Sequence, residues 1–135
     1  MRRELELTRD LRASRVARGA LARWYGGRLH GEELEAAKVI VSELVSNAVV
    51  HGVGRVLLAS ELDEDRLLIE VVDDGSGFAH TMREVRFDAL SGRGLAIVDA
   101  TASRWGIHEG TTHVWAEIER KTRRPTPEGE ANESA

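Results

Sequence analysis

The chain has 135 residues, 41% of them hydrophobic and 31% charged, with a net charge of -4. That size and balance fit one globular domain with a real core, and they argue against direct nucleic-acid binding, which needs a basic excess to neutralise phosphates. The chain has no cysteine, which excludes disulfides, thiolate metal sites and cysteine nucleophiles together, so any chemistry must use oxygen and nitrogen groups. No apolar run approaches the roughly 20 residues that span a bilayer, and no apolar segment follows the charged start Met1-Arg2-Arg3-Glu4. The expectation is a cytoplasmic protein that does not touch the membrane.

Charged and apolar residues alternate over Glu4-Leu5-Glu6-Leu7-Thr8, as in a half-buried strand, and Asp10 is placed to cap a helix running to about Tyr25 and ending at Gly26-Gly27. A second helix is predicted from about Glu32 to Val50, with Leu34, Ala37, Val41, Leu44 and Ala48 at helical spacing and a stop at His51-Gly52-Val53-Gly54. Two strands follow as a hairpin, about Arg55 to Leu62 and Leu67 to Asp73, around the polar turn Asp63-Glu64-Asp65. From Phe78 to Ser91 the periodicity is weak. After Gly92-Arg93-Gly94 a third helix carries Leu95, Val98, Ala102 and Trp105 on one face, and two short strands, about Trp105 to His108 and Thr112 to Glu119, turn at Glu109-Gly110. The fold class is α+β: a two-layer α/β sandwich whose mixed, mostly antiparallel sheet is covered on one face by three helices. The domain is expected to span residues 1–120. A tail, 121–135, contains both prolines and no large apolar residue, and is expected to be disordered.

Four segments carry candidate chemistry. On the second helix, Glu43 and Asn47 lie four apart and share an edge beside the apolar stripe of Val41, Leu44, Val45 and Ala48. Such a pair is either the wet flank of an ordinary amphipathic helix or a base beside a hard metal ligand. In Leu67-Leu68-Ile69-Glu70-Val71-Val72-Asp73-Asp74 the period of two aligns Asp73 with the apolar face, where a carboxylate costs several kcal/mol unless a donor satisfies it. The competing reading ends the strand there and gives both aspartates to a turn. Gly75-Ser76-Gly77 follows directly, and Gly92-Arg93-Gly94-Leu95 opens a helix, where glycines expose backbone N–H groups to an anion. Neither glycine pair continues into a dinucleotide fingerprint, and no Walker pattern is present. On the last strand Thr112 shares the face of Val114, Ala116 and Ile118, so a hydroxyl and the Asp73 carboxylate could read a planar ligand with donors and acceptors on its edge. Threonine's β propensity explains the same residue without a ligand. The five histidines show no metal-ligand spacing, and Trp105 with Trp115 suggests an aromatic patch on the outer sheet face suited to a homodimer or partner.

Taken in order, Glu43-Leu44-Val45-Ser46-Asn47-Ala48-x-x-His51-Gly52, Asp73-x-Gly75-x-Gly77, Gly92-Arg93-Gly94-Leu95 and Gly110-Thr111-Thr112-His113-Val114-Trp115 resemble the nucleotide-binding boxes of the ATPase superfamily shared by gyrase, histidine kinases, the ninety-kilodalton chaperone and mismatch-repair ATPases. Within it the chain is most similar to the anti-sigma factor serine kinases and their small actinobacterial relatives. The resemblance covers about Leu5 to Glu119 and implies the Bergerat fold, with ATP and Mg²⁺ as cofactors. It implies an ATP-dependent serine/threonine protein kinase that regulates a sigma factor by partner switching, with an anti-anti-sigma protein and the sigma factor as partners. By the same resemblance Glu43 is the general base and Asn47 the Mg²⁺ ligand. His51 orients the end of its helix, and Asp73 accepts from the adenine amine. Gly75 and Gly77 let the chain pass close to the base, Gly92, Gly94 and Leu95 open the phosphate-binding helix with Arg93 adding charge, and Thr112 is the second contact near adenine. By the resemblance residues 79–91 are a short lid, and it has no lysine to hold phosphates, which leaves open an alternative: a regulatory module that binds ATP or ADP and sequesters a partner without catalysis.

Overall fold

The computed structural model describes residues 1–75, 95–108 and 113–121. The elements are β1 (Arg2–Leu7), α1 (Ala13–Tyr25), α2 (Gly31–His51), β2 (Val56–Leu62), β3 (Arg66–Asp73), α3 (Ala96–Thr101), β4 (Arg104–Ile107) and β5 (Val114–Glu119). The strands form one sheet in the order β1-β2-β3-β5-β4, with every neighbouring pair antiparallel. The inner face is read directly from the alternation in β3: Leu67, Ile69, Val71 and Asp73 are buried, while Leu68, Glu70 and Val72 are half-buried on the other side. Register carries that face across the sheet through Leu58, Ser60 and Leu62 of β2 and Ala116 and Ile118 of β5.

The helices cover this inner face. In α2, Ala37, Ile40, Val41, Leu44, Val45 and Ala48 are buried, the i, i+3, i+4 stripe that the sequence spacing requires. The helix starts in a capping box in which the Glu33 carboxylate accepts from the His30 backbone N–H at 3.2 Å. The other Glu33 oxygen accepts from the Lys121 N–H at 2.7 Å, so a carboxylate only 5% exposed is satisfied on both sides. Arg120 strengthens the same end, donating to the carbonyls of Asp63 and Arg28 at 2.7 Å each. In α1, Ala13, Ala17, Ala20, Leu21 and Tyr25 are buried, and Arg18 donates to Ser42 Oγ at 2.8 Å, tying α1 to α2.

Several sequence expectations shift. Asp10 does not cap α1; its carboxylate accepts from the Arg12 N–H at 2.8 Å, an Asx turn one step ahead of the helix. The third helix ends at Thr101, and Trp105 belongs to β4. Opposite the inward Ala116, Trp105 packs against the core and donates from Nε1 to Asp99 at 2.9 Å, so the two tryptophans do not share the outer face. Trp115 alone faces outward, over Gly106. Residues 122–135, expected to be disordered, and the beginning of the last strand at Thr112 lie outside the described residues.

Among the buried polar groups, Tyr25 and Ser60 are both fully buried and share a hydrogen bond of 2.6 Å that ties α1 to the inner face of β2. Burial pushes the Tyr25 phenol above its ordinary value, and the Ser60 contact opposes that only partly. Tyr25→Phe strands the Ser60 hydroxyl in a dry site, and chemical denaturation is expected to show a loss of about 1–3 kcal/mol. Adding Ser60→Ala to Tyr25→Phe should recover much of it.

Candidate nucleotide site

The site is built where α2 ends against β3. Glu43 and Asn47 are half-buried on the edge of α2, flanking Leu44, Val45 and Ala48, which reach into the core. Asp73, the last residue of β3, is 9% exposed on the apolar inner face. Both alternatives posed for it are realised: it sits at the strand end and it faces inward. Its Oδ1 accepts from the Gly75 N–H at 2.7 Å, which starts the glycine-containing turn.

Gly52 joins the two halves. The amide of Gly52 closes α2 on the Ala48 carbonyl at 2.9 Å, and a Cβ built on it would collide with the Asp73 carboxylate and lie 2.5 Å from that carbonyl. Only a glycine lets the helix end come this close to the carboxylate. Arg9, from the loop after β1, secures the same end of α2 by donating from Nη1 to the carbonyls of Ala48 and Val49 at 2.7 Å each, and from Nε to that of Gly54 at 2.9 Å. A cation on these helix-end carbonyls also opposes the negative end of the helix dipole. Next to it, Asp74 accepts from the Arg55 N–H at 2.7 Å, and that backbone bond, helped by the Arg55 side chain, holds its carboxyl below the usual range. Asp74 therefore fixes the entry to β2 instead of merely facing water. Gly54 makes this possible with φ +69, since any Cβ there would run into the Asp74 side chain.

Of the residues expected to bind nucleotide, the structure brings together Asp73, Gly75 and the C-terminal part of α2 with Asn47 and His51, and it seats Leu95, 2% exposed, in the core at the start of α3. His51 is the exposed last residue of α2. Gly77, Gly92, Arg93, Gly94 and Thr112, with the expected lid 79–91, lie outside the described residues. Sequence reasoning missed Gly52 as a contact of Asp73, and missed Arg9. The first had a signal in the Gly that follows His51; the second had none, because its partners lie about forty residues away.

The histidine kinase-like ATPase domain family model matches residues 7–118. The chain belongs to this family. The antiparallel sheet under three helices is the architecture expected for a family member, so the Bergerat fold holds for the described residues. Two sensor histidine kinases of Mycobacterium tuberculosis, the component HK1 and a probable kinase HK, are each 32% identical over 100 residues, covering 65% of this chain and 60% and 26% of their own lengths. An anti-sigma F factor of Clostridium acetobutylicum is 40% identical over 50 residues, which cover 34% of this chain and 35% of that protein. The chain thus spans less than two thirds of each of these relatives. The histidine kinase domain of the E. coli osmosensor EnvZ, solved by NMR, aligns over 96% of this chain and 95% of its own with a TM-score of 0.49 and 20% identity. No helix among the described residues is long and apolar enough to cross a membrane.

Proposed function

We propose that this protein is a cytoplasmic ATP-dependent serine/threonine protein kinase that controls a sigma factor by partner switching, transferring the γ-phosphoryl group of ATP to a serine of an anti-anti-sigma protein. The observation that carries the reading is the buried Asp73 carboxylate, set on an apolar sheet face and pressed against the end of the helix that bears Glu43 and Asn47. A buried acceptor fits an exocyclic amine, and a carboxylate with a carboxamide oxygen further along the same helix fits the reacting end of the same ligand. The likeness to an anti-sigma F factor supports the choice of serine over histidine chemistry.

In this reading Asp73 fixes adenine, and Gly75 with Gly77 gives the base a close backbone wall. Gly92, Arg93, Gly94 and Leu95 present the opening of α3 to the phosphates, and Thr112 completes the adenine contacts. Asn47 supplies an oxygen ligand for Mg²⁺, which would neutralise phosphate charge during transfer. Glu43 takes the proton from the serine hydroxyl as the oxygen bonds to phosphorus and ADP departs. His51 orients the end of α2. The anti-anti-sigma protein and the sigma factor are the partners.

The test is transfer of labelled phosphate from Mg-ATP to the cognate anti-anti-sigma protein. Glu43→Gln is expected to lower the rate by about 10²–10⁴-fold, the range for a lost general base, with nucleotide affinity unchanged. Transfer that survives at the wild-type rate removes Glu43 from the base role. Calorimetric binding of Mg-ATP with no transfer to any partner would favour the non-catalytic sequestering module.

A further inference from the structure

The outer face of the sheet, away from the helices and from Asp73, carries a cluster that the nucleotide site does not use. Glu70 of β3, His108 just after β4 and His113 just before β5 bring one ligand atom each to within 4.8 Å of one another. Linear spacing hides this set, because the residues meet only through the register that pairs Glu70 with Trp115 and through the bond from the His108 N–H to the His113 carbonyl at 2.9 Å. The two imidazoles lie 4.3 Å apart, and His113 Nε2 is already 3.0 Å from Glu70 Oε2.

We infer that Glu70, His108 and His113 form a Zn²⁺ site. Two imidazole nitrogens and one carboxylate oxygen suit zinc, whereas Mg²⁺ prefers oxygen alone, so the site is chemically distinct from one at Asn47. Tetrahedral zinc with bonds of roughly 2.0–2.1 Å holds its ligand atoms roughly 3.4 Å apart. The His113–Glu70 edge, at 3.0 Å, is a few tenths of an ångström short of that, and small side-chain rotations of His113 and of the exposed His108 would bring the three atoms to it. The other carboxylate oxygen, Glu70 Oε1, accepts from Arg2 Nη1 at 3.4 Å, with Glu4 and Glu61 paired to the same guanidinium. That partner orients the ligand from outside, as carboxylate ligands of metals generally require. Zinc would take the place of the hydrogen between His113 Nε2 and Glu70 Oε2, the neutral imidazole carrying its one proton on Nδ1, and water would fill the fourth position. The ion would tie the end of β4 and the start of β5 to β3.

Titration of the full chain with ZnCl₂ in nucleotide-free buffer, followed by calorimetry, should give one site per chain that Mg²⁺ does not compete for. The visible spectrum of bound Co²⁺ should report tetrahedral coordination by nitrogen and oxygen. His108→Ala, His113→Ala and Glu70→Gln should each weaken binding by at least about 10-fold. His30→Asn, which keeps a good helix cap, should leave binding unchanged, and thermal melts of the metal-free variants separate loss of ligand from loss of fold. Zinc affinity that survives the His108→Ala/His113→Ala double substitution, or that falls equally with His30→Asn, overturns the assignment.

Discussion

Asp73→Asn is expected to weaken ATP and ADP binding by about 100-fold or more while leaving the fold in place. The substitution keeps the shape of the side chain, and its carboxamide oxygen can still accept from the Gly75 N–H at the position now held by Oδ1. What changes is the second atom, which becomes an NH₂ donor and meets the adenine amine donor to donor. A buried site that fails to match a ligand's hydrogen-bonding edge loses affinity steeply, by about 2–3 kcal/mol or more, because both groups are left unpaired away from water. Fluorescent-nucleotide titration measures the affinity, and a thermal melt of the unliganded protein controls for folding. Nucleotide binding within a few-fold of wild type would show that Asp73 is only a turn-forming residue, and the functional reading of the site would fall with it.

Gly52→Val should be the most damaging change to the fold itself. Its Cβ would strike the Asp73 carboxylate and the Ala48 carbonyl, and neither can retreat: Asp73 is held by the Gly75 amide, and Ala48 by the helix and by Arg9. Overpacking of this kind costs about 1–3 kcal/mol before any loss of the helix end is counted. Gly27→Ala is the matched control, because a Cβ there meets nothing within 4 Å, and its stability should stay within about 0.5 kcal/mol of wild type. Urea unfolding of both variants makes the comparison. Gly52→Ala, the milder version, should shift nucleotide affinity more than stability if the helix end relaxes by moving away from Asp73.

Local periodicity made most of the architecture legible. The α2 stripe of Val41, Leu44, Val45 and Ala48 is buried as its spacing requires, and the β3 alternation delivered Asp73 to the inner face. Illegible in the sequence were the features made by residues distant in the chain. Glu117 lies on the outer face by alternation and yet is 8% exposed, because Arg66 and Arg104 close on it at 2.7 and 2.6 Å from the strands on either side. Trp105 faces the core and not the outer side, because its register opposite Ala116 sets its face, and a shift of one residue reverses which side a strand's residues occupy. The Arg9 clamp and the convergence of Glu70, His108 and His113 depend on strand order and register, which no local pattern specifies.

Among the described residues, the sheet order leaves β1 and β4 as outer strands, each with one row of backbone groups that no neighbouring strand satisfies. An open edge is a template for another chain, and the two strands answer that hazard differently. β4 is only four residues long, and β1 places Arg2, Arg3, Glu4 and Glu6 among six positions. Charge of both signs along an edge makes docking of an apolar strand costly in desolvation, whereas a short edge gives it little to hold. The consequence is a sheet whose two ends resist self-templated aggregation without a helix having to cover them.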